Sequence, residues 1–212
     1  MSNYRRGAMK TRERILEAAL ELFNRQGYSA VSTHHIAAAC GISPGNLYYH
    51  FRNKEDIVRA LFSQALDFVG SGTEDAARPD EADPSGLERA LAFLSELNWH
   101  YSFLKRDLPI ILLNDPLLRE RFHAVHREQL SSIRTDLEQS MVGGVIRAFT
   151  EPDIVRLSRI LWLVALFWPT FLDVGGEEYS RENLNEGAEL IRLLYGLLLT
   201  DRGKQVMGGE TA

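Results

Sequence analysis

The sequence predicts an all-α protein, and three features carry that reading. Apolar residues recur at helical spacing, as where Ile15, Leu16, Ala19, Leu22 and Phe23 fall at i, i+1, i+4, i+7 and i+8. Gly, Pro, Ser and Asn stand where helices start and stop. No credible run of strands and no internal repeat interrupts the pattern. At 212 residues, 45% hydrophobic and 25% charged, the composition is that of a soluble globular protein with ample length for a buried core.

The elements follow in order. Gly27 closes the first helix where a left-handed residue is often needed. Ser32 is the N-cap of a short second helix through Cys40, with Ile36 and Ala37 inward, and Gly41 ends it. Ser43 and Pro44 start a third helix, as N-cap and N1 proline, that runs to about Phe51. Asn53 caps a fourth, on which Val58, Leu61, Ala65, Phe68 and Val69 form an apolar stripe. Residues 70–86, rich in Gly, Pro and acidic side chains, read as a mobile loop. Further helices are expected at about 87–105, 116–141, 152–172 and 181–200, with a short turn holding Leu108–Leu113 between the first two. The polar, Gly-rich tail after Thr200 reads as frayed.

Charge is unevenly spread. Residues 1–59 hold nine Lys/Arg against five Asp/Glu, and the rest hold 15 against 24. An acidic chain has gathered its positive charge at one end, to which duplex DNA is drawn by counterion release. The single cysteine, Cys40, excludes an intramolecular disulfide and fits a reducing cytoplasm. No apolar secretory segment opens the sequence. The longest oily run, Ile160–Trp168, is too short to span a bilayer and reads as a buried helix, so no membrane partner is expected.

Within the basic end, residues 32–54 read as two short helices around a Gly turn, the layout of a helix-turn-helix. Asn46 sits early on the second of them, where an amide can read a base edge or hold a phosphate. Gly45 lets backbone approach the groove. Tyr48, Tyr49 and His50 are natural phosphate and base-edge contacts, and Lys54 is placed as a phosphate anchor. Leu47 and Phe51 form the core face. Packing of Tyr49 against the first helix remains an equal alternative. Arg5, Arg6 and Lys10 form a basic arm that either reaches the minor groove or stays a tail.

The segments TRERILEAALELFNRQGY, IAAACGIS and GNLYYHFRNKEDI follow in order and without a gap. Over Thr11 to Lys54 they resemble the N-terminal domain of the TetR family of bacterial transcriptional regulators. The resemblance implies a DNA-binding head over residues 1–54 and a larger helical effector-binding and dimerisation body over 55–212. It implies DNA contacts from Thr33, His34, Pro44, Gly45, Asn46, Tyr48, Tyr49, His50 and Lys54. His35 departs from it, standing where the family often has an acid that completes a capping box with Ser32.

The body is apolar on more than one helix face. Ile160, Leu163, Phe167 and Phe171 line one helix, and Leu190, Leu193 and Leu197 the next. These faces form either a central core or, as the resemblance favours, a four-helix seam in a homodimer. Trp99, Tyr101, Phe103, Phe122, His123, His126, Trp162 and Trp168 supply rings and polar points that line a small-molecule pocket or fill the core. Rings and aliphatics outweigh Arg and Lys there, which suggests an apolar or aromatic effector. The expectation is a ligand-responsive repressor on a palindromic double-stranded operator. The rival is a helical small-molecule-binding protein with only non-specific DNA binding.

Enzymatic chemistry finds little support. Gly41–Gly45 matches G-x-S-x-G, yet a helix precedes Ser43, and Pro44 has no N–H for an oxyanion hole. His123 and His126 lie i, i+3 without a recognised ligand set beside them, so no metal is expected. No Walker loop or dinucleotide fingerprint appears, and no cofactor is expected.

Overall fold

The computed structural model describes residues 10–76 and 85–208. These form α1 (Thr11–Gln26), α2 (Thr33–Cys40), α3 (Pro44–His50), α4 (Lys54–Ala76), α5 (Ser85–His100), α6 (Ser102–Arg106), α7 (Leu108–Asn114), α8 (Pro116–Val142), α9 (Glu151–Gly175), α10 (Arg181–Leu198) and α11 (Asp201–Gly208). Among the described residues, extended pairing is confined to a bridge between Ile146 and Leu199. The all-α expectation stands.

Three local expectations are corrected. The backbone of α4 continues to Ala76 and α5 begins at Ser85, so both ends of the expected loop at 70–86 are helical. Residues 77–84 of that loop, and Arg5 and Arg6 of the basic arm, lie outside the described residues. Leu108–Leu113 belong to a helix, α7, because Pro109 suits a first turn and Leu108 and Ile111 bury one side. After Thr200 the tail forms α11 as far as Gly208, entered through Thr200 Oγ1, which accepts from the Gly203 backbone N–H at 3.0 Å, and residues 209–212 lie outside the described residues.

The first core lies beneath α1–α4, where Ile15, Phe23, Ile36, Leu47, Ile57 and Leu61 are almost fully buried. It does not end with those helices. Phe103, Leu104, Ile111 and Leu118 join it, and the Phe103 and Phe23 ring centroids lie 5.0 Å apart. Burying each of these rings contributes about 1.5–3 kcal/mol. Polar bonds reinforce the junction at the end of α1. The Asn24 carboxamide accepts from Ser102 Oγ at 3.1 Å and from the Phe103 backbone N–H at 3.2 Å. Arg106 donates to the carbonyls of Phe23 and Asn24, and Asp107 accepts from the Tyr28 backbone N–H at 2.9 Å. Phe103 is therefore a core residue, the second of the two places the sequence left open for it.

The second core lies among α5, α8, α9 and α10, around Leu91, Leu137, Ile154, Leu161 and Ile191. Ion pairs Arg192–Glu88 and Arg181–Glu96 tie α10 to α5. Helices α9 and α10 touch closely at Gly187, where any Cβ would collide with the Trp168 ring. Helix α9 as a whole is long and apolar enough to cross a membrane. Its Ile154, Leu161, Leu166 and Leu172 are buried inside the protein, while Ile160, Leu163, Phe167, Phe171 and Val174 are exposed. The expectation of a simply buried helix is thus corrected: α9 has one buried and one exposed apolar face.

Candidate nucleic-acid interface

Helix caps set the geometry of the turn. Ser32 Oγ accepts from the His35 backbone N–H at 3.2 Å, and His35 Nδ1 accepts from the Ser32 backbone N–H at 3.4 Å. The imidazole does close the capping box, through a long bond. Gly41 adopts φ 64°, and the Ile42 backbone N–H then bonds the Ala37 carbonyl at 3.1 Å. A side chain at that left-handed position would be strained. Ser43 Oγ accepts from the Asn46 backbone N–H at 3.2 Å, capping α3. Arg14 donates to the Cys40 carbonyl at 2.7 Å, fixing the end of α2 to α1.

These caps decide which face α3 presents. Leu47 is fully buried and Phe51 nearly so, which turns Pro44, Gly45, Asn46, Tyr48 and Tyr49 to solvent. Tyr49 is 85% exposed and meets His50 edge-on, with ring centroids 5.2 Å apart. It does not pack against α1. Tyr48 leans back on α2, its hydroxyl 3.0 Å from Thr33 Oγ1. That bond couples the two helices of the motif at its solvent side. His34, beside Thr33, is exposed.

Lys54 is held differently from an ordinary surface lysine. Its Nζ donates to the carbonyls of Tyr28 and Val31 at 2.9 and 3.1 Å and lies 3.8 Å from the Tyr28 ring centroid. Burial pulls its pKa below the usual lysine range, opposed by Glu55 and Asp107. Two of its three donors are engaged, which leaves one for an external acceptor. The Tyr28 hydroxyl in turn donates to Glu55 at 3.2 Å, and burial, then Glu55, push its pKa up to about 12.

Between these groups lies an open hollow of about 360 Å³ lined by Ser29, Thr33, Tyr48, Arg52, Asn53 and Lys54 among others. Hydroxyls, an amide and two cations around an open concavity are the chemistry that holds a phosphate. Arg52 was missed at the sequence level. The available signal was a basic residue between the end of α3 and the Asn53 cap, which accepts from the Asp56 backbone N–H at 2.8 Å.

The ring-bearing residues of the body do not converge on one point. Trp99 is exposed beneath the Arg181 guanidinium, 4.9 Å from its ring centroid, and His123 is exposed. Trp168 stacks on Phe171 and donates to the Asn183 carbonyl at 2.7 Å. Tyr101 sits against Phe68. Phe122, His126 and Trp162 do meet: His126 stacks on Phe122, and its Nδ1 accepts from Trp162 Nε1 at 2.6 Å. Ile160, Leu163, Phe167, Phe171, Leu193 and Leu197 share an exposed apolar face of α9 and α10, and Leu190 is half-buried beside them.

Known proteins share this arrangement. The model for bacterial regulatory proteins of the tetR family matches residues 15–61, and one described as bacterial transcriptional repressor matches residues 74–207. A TetR-family transcriptional regulator from Marinobacter aquaeolei VT8 is 32% identical, with a TM-score of 0.84 over 94% of this chain and 97% of that one. The HTH-type transcriptional regulator UidR of Escherichia coli K12 is 26% identical over 94% of this chain and 98% of its own length. SmeT, solved as a complex with triclosan, shares the fold at 21% identity and a TM-score of 0.61, over 90% of this chain and 92% of that one. With its helix-turn-helix, its exposed α3 face and these matches along its length, the chain belongs to the tetR family of bacterial regulatory proteins and is a DNA-binding transcriptional regulator.

Proposed function

We propose that this regulator is a repressor that binds a palindromic operator as a homodimer and leaves it when a small apolar or aromatic effector enters the helical body. The observation that carries the DNA step is the exposed face of α3, which presents Asn46, Tyr48 and Tyr49 above a buried Leu47. Docked in the major groove, α3 offers the Asn46 amide and the Tyr49 phenol to base edges and phosphates. Pro44 and Gly45 let the helix start close to the backbone. Thr33, His34, Tyr48 and His50 flank it, and the remaining N–H of Lys54 points the hollow's charge at a phosphate.

One short helix reads only a half-site, so useful specificity calls for two heads spaced about 34–36 Å apart, or a multiple. The exposed apolar face of α9 and α10 supports such pairing, because large apolar side chains gathered on one face are costly to leave in water. A two-fold seam there joins the bodies and sets the distance between heads. An effector that prefers one spacing shifts the population toward it, and only through that difference in affinity.

Fluorescence anisotropy on the duplex upstream of the protein's own gene, beside a scrambled duplex at near-physiological salt, tests the reading. Binding about a thousandfold or more tighter to the upstream duplex is expected. Equal, weak binding to both would favour a small-molecule-binding protein with a non-specific head.

A further inference from the structure

Pro169 stands inside α9 and has no N–H to give to the carbonyl of Ala165, four residues earlier. The Lys105 ammonium closes that gap, donating to Ala165 O at 2.9 Å and to Asn98 Oδ1 at 2.5 Å. Asn98 is only 1% exposed. Its amide NH₂ and the third N–H of Lys105 have no partner among the described residues, nor does any described carboxylate pair with this lysine. Burial alone pulls the pKa of Lys105 down to about 7. A neutral hydroxyl or amide would fill the Pro169 gap without that cost of burying a charge. The fold has instead placed a cation and spare N–H donors in the body with no carboxylate to meet them among the described residues.

The surroundings suit the rest of such a ligand. Among the described residues, helix α5 packs chiefly on α4, α6 and α10, and α8 chiefly on α7 and α9. Half-buried side chains stand on these helices, among them Leu97, Phe122, His126 and Trp162, the last one turn before Ala165 on α9. Lys105 is only partly buried as a residue, although its ammonium lies deep.

We propose that Lys105 and Asn98 form the anchor for the carboxylate of an acidic effector whose apolar or aromatic body lies against Phe122 and Trp162. This rests on the reading of the body as an effector receptor and narrows the effector to an acid. The carboxylate accepts from the Lys105 ammonium and the Asn98 amide, a charge-assisted pair in a poorly solvated place. Lys105 lies next to Arg106 and Asp107, which hold the end of α1, and its own carbonyl accepts from Thr170 Oγ1 at 3.0 Å. A ligand that draws on the ammonium therefore acts on the helix that grips the DNA-binding head.

The test is calorimetry on the full chain with medium-length n-alkanoates and ω-phenylalkanoates, each beside its primary amide, at pH 8 in two buffers of different ionisation enthalpy. The expected result is an acid bound about tenfold or more tighter than its amide, with uptake of up to about one proton. Lys105→Gln, which keeps a neutral donor for Ala165, and Lys105→Met both lose the preference and the uptake. Three results overturn the proposal: equal binding of acid and amide, retention of both signatures in the folded variants, or no acid bound at about 1 mM. Operator release by an amide would leave the receptor reading standing while the carboxylate anchor falls.

Discussion

The DNA-binding head and the helical body bury their apolar residues to different degrees, and they expose opposite kinds of surface. In the head, each short helix is capped at its start and turns its apolar side inward, so what remains outside is amide, phenol, imidazole and cation. In the body, α9 and α10 keep Leu163 57% and Leu193 61% exposed, and a cation lies inside. A surface that must meet hydrated phosphates is polar and held by local bonds. The seam and the effector anchor proposed for the body are its opposites, an apolar face outside and a cation inside. The difference teaches where to look for each partner.

Four changes break or sharpen that contrast. The largest effect is expected at the seam. Leu163→Glu combined with Leu193→Glu should move sedimentation to monomer and weaken operator binding by about a thousandfold, since one half-site contributes little alone. A persistent dimer would place the seam elsewhere.

Next comes the buried cation. The Lys105 pKa is depressed in the folded protein, so between about pH 7 and its ordinary value near 10.5 the unfolded chain binds more protons than the folded one. Stability therefore rises with pH across that window, with a slope of up to about 1.4 kcal/mol per pH unit from this group. Urea titrations should find that rise in the wild type and a flatter profile in Lys105→Met. A slope unaffected by the substitution would show that the ammonium is better solvated than its contacts imply.

Tyr49→Ala removes an exposed ring from the reading face. Operator affinity should fall about 10–100-fold, or 1–3 kcal/mol, while the unfolding midpoint barely moves, as expected away from the core. A large loss of stability instead would mean that Tyr49 packs after all. Smallest is His35→Glu, which replaces the long Nδ1 bond of the cap with a carboxylate at a helix start. It should stabilise the head by about 0.5–1 kcal/mol in thermal unfolding, with no gain if the imidazole already serves as well.

Much of the head was legible from its residues because its structure is made by near neighbours. Ser32, Gly41, Ser43 and Asn53 act over one or two turns, and periodicity alone selects Leu47 and Phe51 for the core. Lys54 was legible only as a charge. That two of its donors would be taken by Tyr28 and Val31 depends on how the loop after α1 returns over α4, which no local pattern encodes. The body was less legible for the same reason. Phe103 reads as one ring among several, yet it reaches across to Phe23, while Trp99 of α5 and Trp168 of α9 both meet the first turn of α10, at Arg181 and Asn183. Lys105 left no trace at all, because its significance requires Asn98 and the carbonyl that Pro169 frees.

Phe103, Leu104, Ile111 and Leu118 complete the core beneath the helix-turn-helix. This bears on how such regulators can be recombined. A chimera cut at residue 54, where sequence resemblance fades, would strip the transplanted reader of its floor and give it a stranger's. A junction placed after Leu118 would carry the floor with it, but would also bring along Lys105 and its neighbours. The DNA-reading face and the buried lysine of this protein are therefore not freely exchangeable parts: they share a few turns of chain.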